Sequence, residues 1–335
     1  MRKMPHPVKV ALVDLDGQVV PDWVPPALQR EGIELIIRQC NSREDLGQHA
    51  AEAEIVWLFG GHRVLQGALD VLPRCRAIVR TGSGTDNVPV EEATQRGIVV
   101  ANTPSALSDA VSDHVIALLL ALVRQLPKQD RSVRSGVFDQ NLHRPLHSLC
   151  GRTFGLVGFG HIARDVARKL RGFGMKWLVH DPFVDPAALA AAGLQAASLD
   201  TLLAEGDFVS LHCPLTPATR HLIGERELRR MKSTAILINA SRGPVIDEPA
   251  LIRALAERRI AAAGLDVFEH EPLAADSPLL ELDNVILTPH SASQSGDGML
   301  PRWQASVETV LALAAGRWPP SCVNRHVQPL QPLSD

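Results

Sequence analysis

The stretch Thr153-Phe154-Gly155-Leu156-Val157-Gly158-Phe159-Gly160-His161-Ile162-Ala163 decides how the rest of the chain is read. An apolar run of strand length leads into G-x-G-x-x-G/A, and Ile162, Val166 and Leu170 then recur at helical spacing. Gly158 permits a tight turn, Gly160 lets the backbone approach a pyrophosphate, and Ala163 is small enough for helix–strand packing. The helix opening at His161 and Ile162 turns free N–H groups and a positive dipole end toward the phosphates. Asp181 closes the next apolar run, 176–180. A carboxylate there accepts hydrogen bonds from ribose hydroxyls and repels a 2′-phosphate, so the expected cofactor is NAD rather than NADP.

Outward from this stretch, short apolar runs alternate with amphipathic ones, the pattern of an α/β fold with parallel strands. The spacing predicts strands at 8–13, 33–37, 55–58, 77–80 and 98–100, with helices near 25–31, 42–50, 64–70 and 90–96. An apolar helix is expected from Ser105 to Arg124. A second series predicts strands at 153–157, 176–180, 207–211, 235–238, 262–266 and 285–287. Its helices are expected at 161–171, 199–203, 225–230, 247–257 and 298–315, ahead of a Pro-rich tail. A fingerprint in mid-chain opens a domain, so the first hundred residues form a separate one to which the last helix and tail can return.

With 335 residues the chain is long enough for two domains, and its 45% apolar and 21% charged residues are ordinary for a globular protein. A net charge of −3 without a basic run argues against a nucleic-acid partner. The longest uninterrupted apolar run, Val115 to Val123, is too short to cross a bilayer, and the apolar run after Met1-Arg2-Lys3 reads as a strand, not a signal segment. Five widely spaced cysteines point to reduced thiols and a cytoplasmic location.

Three residues at the ends of apolar runs carry the chemistry. Arg242 follows 235–239, Glu271 follows 261–268, and His290 follows 285–289. Ligands of open parallel sheets bind at the carboxyl ends of strands, so a cation, a carboxylate and an imidazole there can bind an acid and move a proton. Each also has a plainer reading: a solvated loop arginine, a loop cap, a hydrogen-bonding histidine. Three other features lose to such readings. Pro145 breaks the helix that would pair His143 with His147 as metal ligands, so no metal is expected. Cys213 has no basic neighbour to activate it, and Ser83 and Ser241 lack a nucleophile elbow.

Taken together, these motifs resemble the NAD-dependent D-isomer-specific 2-hydroxyacid dehydrogenases. That family includes D-3-phosphoglycerate, glyoxylate/hydroxypyruvate and D-lactate dehydrogenases and the C-terminal binding protein co-repressors. The resemblance runs from about residue 75 to 325 through Gly82-Ser83-Gly84-Thr85-Asp86-Asn87-Val88, the fingerprint, and Ser210-Leu211-His212-Cys213-Pro214-Leu215-Thr216. It continues through Asn239-Ala240-Ser241-Arg242-Gly243, Gly264-Leu265-Asp266-Val267-Phe268-Glu269-His270-Glu271-Pro272 and Thr288-Pro289-His290-Ser291.

The resemblance implies two Rossmann-like, doubly wound parallel-sheet domains. A central NAD-binding domain at 105–293 is inserted into a flavodoxin-like substrate domain made of 1–104 and 294–335. It implies Arg242 as the substrate-binding arginine, His290 as acid/base and Glu271 as its partner, with Ser83 and Gly84 holding the substrate carboxylate. The implied cofactor site comprises Gly158, Gly160, His161, Ile162, Asp181, His212, Cys213, Pro214, Ala240, Ser241, Asp266 and His290. A homodimer is implied as well. Two departures stand out: Ala163 where many relatives have glycine, and Asp113-His114 where relatives often read Glu-His. Lacking a cluster of cations for a phosphate, with Arg80 a single candidate, the chain is expected to act on a small 2-keto or 2-hydroxy acid such as glyoxylate or hydroxypyruvate. An NAD(H)-sensing protein of co-repressor type and a phosphite dehydrogenase, which shares the Arg, Glu and His pattern, remain alternatives.

Overall fold

Strands packed on both faces of a parallel sheet are mainly apolar, and the first third of the chain supplies five mainly apolar runs. They are β1 (Val8–Asp14), β2 (Ile33–Ile37), β3 (Ile55–Leu58), β4 (Ala77–Arg80) and β5 (Val99–Asn102). The computed structural model describes residues 6–15, 17–61, 64–142, 146–296 and 298–335. All five strands pair in parallel in the order β2-β1-β3-β4-β5, the flavodoxin-like arrangement. Helices α1 (Val24–Arg30), α2 (Arg43–His49) and α3 (Val90–Gln95) connect them. Ser42 and Asp45 close α2 with a capping box. The helix expected at 64–70 does not form: Gly67 turns the chain at φ +64, and only a 3-10 turn, Leu69–Val71, remains.

Next come α4 (Ser108–Val123), α5 (Leu126–Arg134), β6 (Thr153–Val157), α6 (His161–Lys169), β7 (Lys176–His180) and α7 (Pro186–Ala191). They are followed by β8 (Gln195–Ala196), α8 (Leu199–Glu205), β9 (Phe208–Leu211), α9 (Glu225–Arg230), β10 (Ile236–Asn239), α10 (Glu248–Ala256), β11 (Ala262–Leu265) and β12 (Val285–Leu287). The seven strands are again all parallel, in the order β12-β11-β10-β9-β6-β7-β8. The order reverses between β6 and β9, and that reversal opens a crevice at the strands' carboxyl ends. Three elements had no counterpart in the sequence pattern. α5 buries none of its side chains, α7 is a short Ala-rich turn behind the Asp185 cap, and β8 is a two-residue edge strand.

The chain forms two compact units, one holding the residues up to Leu107 with Ser295–Asp335, the other Ser108–Gln294. Each sheet has an apolar core on both faces, as a doubly wound sheet requires. In the first unit the last helix, α11 (Met299–Ala314), packs on β3, β4 and β5. Trp303 stacks on Phe59 at 4.1 Å and meets Trp57 edge-on at 5.5 Å. The tail docks on β5, where the fully buried Asn324 accepts from Val100 N at 2.8 Å and donates to Ile98 O at 3.0 Å.

By length and composition the helical stretch Pro104–Val123 could cross a membrane, a longer segment than the uninterrupted apolar run suggests. Within the second unit Val115, Leu118, Leu119 and Val123 are core residues, and α4 packs on α6, β10 and β11. His143 and Pro145 lie outside the described residues. Among the described residues no group of three or more His, Cys, Asp or Glu gathers as a metal would require.

Candidate active site

The second unit assembles its site from strand ends. At the switch point, Gly158 has φ +87, and a Cβ on it would sit 2.8 Å from the backbone of His212 and Cys213. Only glycine lets β6 turn here against the end of β9. His212 N donates to Val157 O at 2.7 Å, which locks the two strand ends together. Around Gly160, the cap of α6, a Cβ would meet nothing within 4 Å, so the backbone is open to an incoming group. The first-turn amides of α6, including those of His161 and Ile162, have no partners within the helix and face outward at its positive end. Asp181 closes β7 beside this turn, its carboxylate accepting from Phe159 N at 2.7 Å and Phe183 N at 2.9 Å.

These features fit a dinucleotide: a close-approach glycine, an unobstructed helix start and a carboxylate on the neighbouring strand. The adjoining turn is electrically quiet. Burial lowers the His212 pKa to about 4, leaving a neutral ring that hydrogen-bonds Ser210 Oγ at 2.9 Å. Burial raises the Cys213 thiol to about 11, with the Asp181 charge adding to the rise, so it is not an activated thiolate.

Arg242 follows β10 in a turn shaped by Asn239, which is buried at 1% exposure. Asn239 Oδ1 accepts from Ser241 N at 3.0 Å and Ser241 Oγ at 2.8 Å, and its Nδ2 donates to Arg242 O at 2.9 Å. The sequence reading missed this asparagine, although an Asn two residues before a Ser-Arg-Gly turn is the available signal. Gly243 then presses on the next loop so closely that a Cβ would lie 1.8 Å from Phe268 O. The Arg242 turn and the Glu271 loop are therefore held in register by direct backbone contact.

Glu271 and His290 meet at 2.7 Å, Oε2 to Nδ1. Glu271 Oε1 accepts from Phe268 N at 3.0 Å, which fixes the carboxylate's orientation. Burial works to raise the Glu271 pKa. The hydrogen bonds from His290 and Phe268 N, with the charges of His290 and Arg242, overcome it and leave the carboxyl below its ordinary value. With Nδ1 committed to Glu271, His290 Nε2 faces no described partner. The His290 backbone sits at φ +51, a left-handed conformation that costs a non-glycine residue about 1–3 kcal/mol and persists only where its surroundings enforce it. Asp266, at the end of β11, accepts His290 N on its carbonyl at 2.8 Å. The structure thus brings Ala240, Ser241, Arg242, Asp266, Glu271 and His290 to the ends of three adjacent strands.

Ser83 and Gly84 belong to the first unit, in the loop after β4. Gly82 N donates to Thr103 Oγ1 at 2.7 Å, whereas the amides of Ser83 and Gly84 donate to no described residue. The loop is anchored by the buried Thr81, whose hydroxyl accepts from Trp57 Nε1 at 2.9 Å and pairs with Ser306 Oγ at 2.7 Å.

Comparison with known proteins places this geometry among related sequences. Residues 116–292 match the family described as D-isomer specific 2-hydroxyacid dehydrogenase, NAD binding domain. The chain is 44% identical over 266 residues to a glyoxylate reductase of Korarchaeum cryptofilum, covering 78% of this chain and 80% of that protein. Among solved structures, a glyoxylate reductase from Paecilomyes thermophila is similar at TM-score 0.86 and 28% identity, covering 96% of this chain and 100% of that one. A D-lactate dehydrogenase from Aquifex aeolicus, solved with NAD and lactic acid, is similar at TM-score 0.81 and 30% identity, covering 92% and 96% of the two chains.

Proposed function

Because the chain belongs to the D-isomer specific 2-hydroxyacid dehydrogenase family, we propose that it is an NADH-dependent reductase of a small 2-keto acid such as glyoxylate or hydroxypyruvate, forming the D-2-hydroxy acid. The family performs nicotinamide-dependent interconversion of keto and hydroxy acids. The observation that carries the assignment is the Glu271–His290 pair, 2.7 Å apart, whose Nε2 meets no partner among the described residues, with Arg242 held beside it through Gly243. A nicotinamide cofactor held at the Gly158–Gly160 turn would supply the hydride for the carbonyl carbon. His290 Nε2 gives its proton to the carbonyl oxygen, and Glu271 stabilises the imidazolium beforehand. Arg242 pairs with the substrate carboxylate in a planar geometry that lysine could not reproduce. In the oxidative direction neutral His290 takes the proton from the hydroxyl.

NAD is preferred because Asp181 stands beside the glycine turn, where a 2′-phosphate would meet a carboxylate. Five free cysteines suit a cytoplasmic setting. The second unit also exposes Leu126, Val133 and Phe138, which support pairing with a second copy of the chain, a state that light scattering would report. The deciding experiment is NADH oxidation over a panel of 2-keto acids, with phosphite plus NAD as a further arm. Turnover of a small keto acid is expected. Cofactor binding without any turnover would favour a sensing protein of co-repressor type, and phosphite oxidation would favour the phosphite reading. Asp181→Ala should narrow the preference for NADH over NADPH; an unchanged ratio would place that selectivity elsewhere.

A further inference from the structure

We propose, resting on the dehydrogenase reading above, that His114 and Thr288 are positioning residues that hold His290 in its strained backbone conformation through Asp266. The left-handed φ of +51 at His290 needs an external constraint, and Asp266 supplies it from both sides. This aspartate is 1% exposed. Its Oδ1 accepts from Thr288 Oγ1 at 2.6 Å and from Ser291 N at 2.8 Å, and its Oδ2 accepts from Ala292 N at 2.9 Å. The carboxylate therefore binds residues before and after His290, while the Asp266 carbonyl binds His290 N at 2.8 Å.

Thr288 has a single hydroxyl proton, and the carboxylate, which only accepts, takes it. The Thr288 oxygen must then accept from its other neighbour, His114 Nε2 at 2.9 Å, so that nitrogen carries a proton. The same nitrogen lies 3.5 Å from Asp266 Oδ1. His114 sits on α4, whose Val115, Leu118 and Leu119 are buried in the core, so the far end of this chain of bonds is rigid. Its neighbour Asp113 pairs with Lys169 of α6 at 2.7 Å, as does Asp109. The helix that opens at the fingerprint and the loop that carries His290 are thus braced on one support. The hydrogen bonds of the His114 and Thr288 side chains run to each other and to Asp266 and not to the Glu271–His290 pair, so both act through the loop.

The full chain is compared with His114→Leu and Thr288→Val, which remove the bonds, and with His114→Gln and Thr288→Ser, which keep a donor or hydroxyl in place. Three quantities are read: kcat for NADH-dependent reduction of the best keto acid, NADH affinity by fluorescence, and amide hydrogen exchange across residues 288–292. The first pair should lose about 10–100-fold in kcat, the cost of a misplaced catalytic group, with NADH affinity unchanged and faster exchange in that segment. Gln and Ser should restore both rate and protection. Parental kcat in the Leu and Val variants overturns the proposal, as does a loss that follows NADH affinity or that Gln and Ser do not rescue. Should the parent reduce no keto acid, the dehydrogenase reading falls by itself. Hydrogen exchange then decides this proposal, and unchanged protection at 288–292 refutes it.

Discussion

The loop after β4 and the loops after β10, β11 and β12 follow the carboxyl ends of parallel strands in their own sheets, yet they offer opposite kinds of chemistry. The first presents backbone: two amides, at Ser83 and Gly84, that donate to no described residue, above an anchor of Thr81, Trp57 and Ser306. The second presents side chains: an arginine, a carboxylate and an imidazole, the last two 2.7 Å apart. Backbone groups can bind an anion but cannot change protonation state. A site that only binds is therefore indifferent to side-chain identity so long as the turn survives, while a site that moves a proton depends on particular atoms.

The sharpest test of that contrast is His290→Ala, which should lower turnover of the best keto acid about 10²–10⁴-fold with NADH binding near normal. Parental activity in this variant would mean the proton comes from another group. Gly243→Ala comes next. The added Cβ would sit 1.8 Å from Phe268 O, so the Arg242 turn and the Glu271 loop must move apart, and kcat should fall about 10²-fold. A parental rate would show that their register does not matter.

Glu271→Gln should be milder in rate and visible in the pH dependence of stability. The Glu271 pKa is lowered in the fold from its ordinary 4.5, so the carboxylate's contribution is complete above that value and fades as pH falls through the lower folded value. The gap in melting temperature between parent and variant should hold between pH 7 and the ordinary value, then shrink in acid; a gap that widens in acid would reverse the sign. Smallest of all is Ser83→Ala. It removes only the Ser83 Oγ bond to Pro104 O at 3.0 Å, about 1 kcal/mol at most, and leaves the amide in place. A large rise in the keto-acid KM would show that the hydroxyl, not the backbone, meets the substrate.

Much of the fold was legible because parallel strands and their helices impose patterns over five to ten residues. The runs at 33–37, 55–58, 153–157 and 285–287 form strands with those boundaries. The failures occur where the local pattern and the fold part company. Residues 64–70 have helical apolar spacing, but Gly67 breaks the turn. α5 forms without a buried face, so it has no apolar period to detect. The bonds from both Asp266 carboxylate oxygens into the His290 loop had no signal in the local sequence.

Local chemistry is written in order along the chain: the glycine turn before α6, the carboxylate after β7, and an arginine, a glutamate and a histidine each placed just past a strand. Those residues could be named from their neighbours alone, because strand ends and helix starts have short-range signatures. The tertiary structure alone decided how they meet. The 2.7 Å contact joins residues 19 apart in sequence, the brace from His114 reaches Thr288 across 174 positions, and Gly243 is required by a carbonyl on a different strand's loop. Such contacts depend on which strands become neighbours and in what register. That outcome is set by packing of the whole sheet, and no short stretch of sequence encodes it.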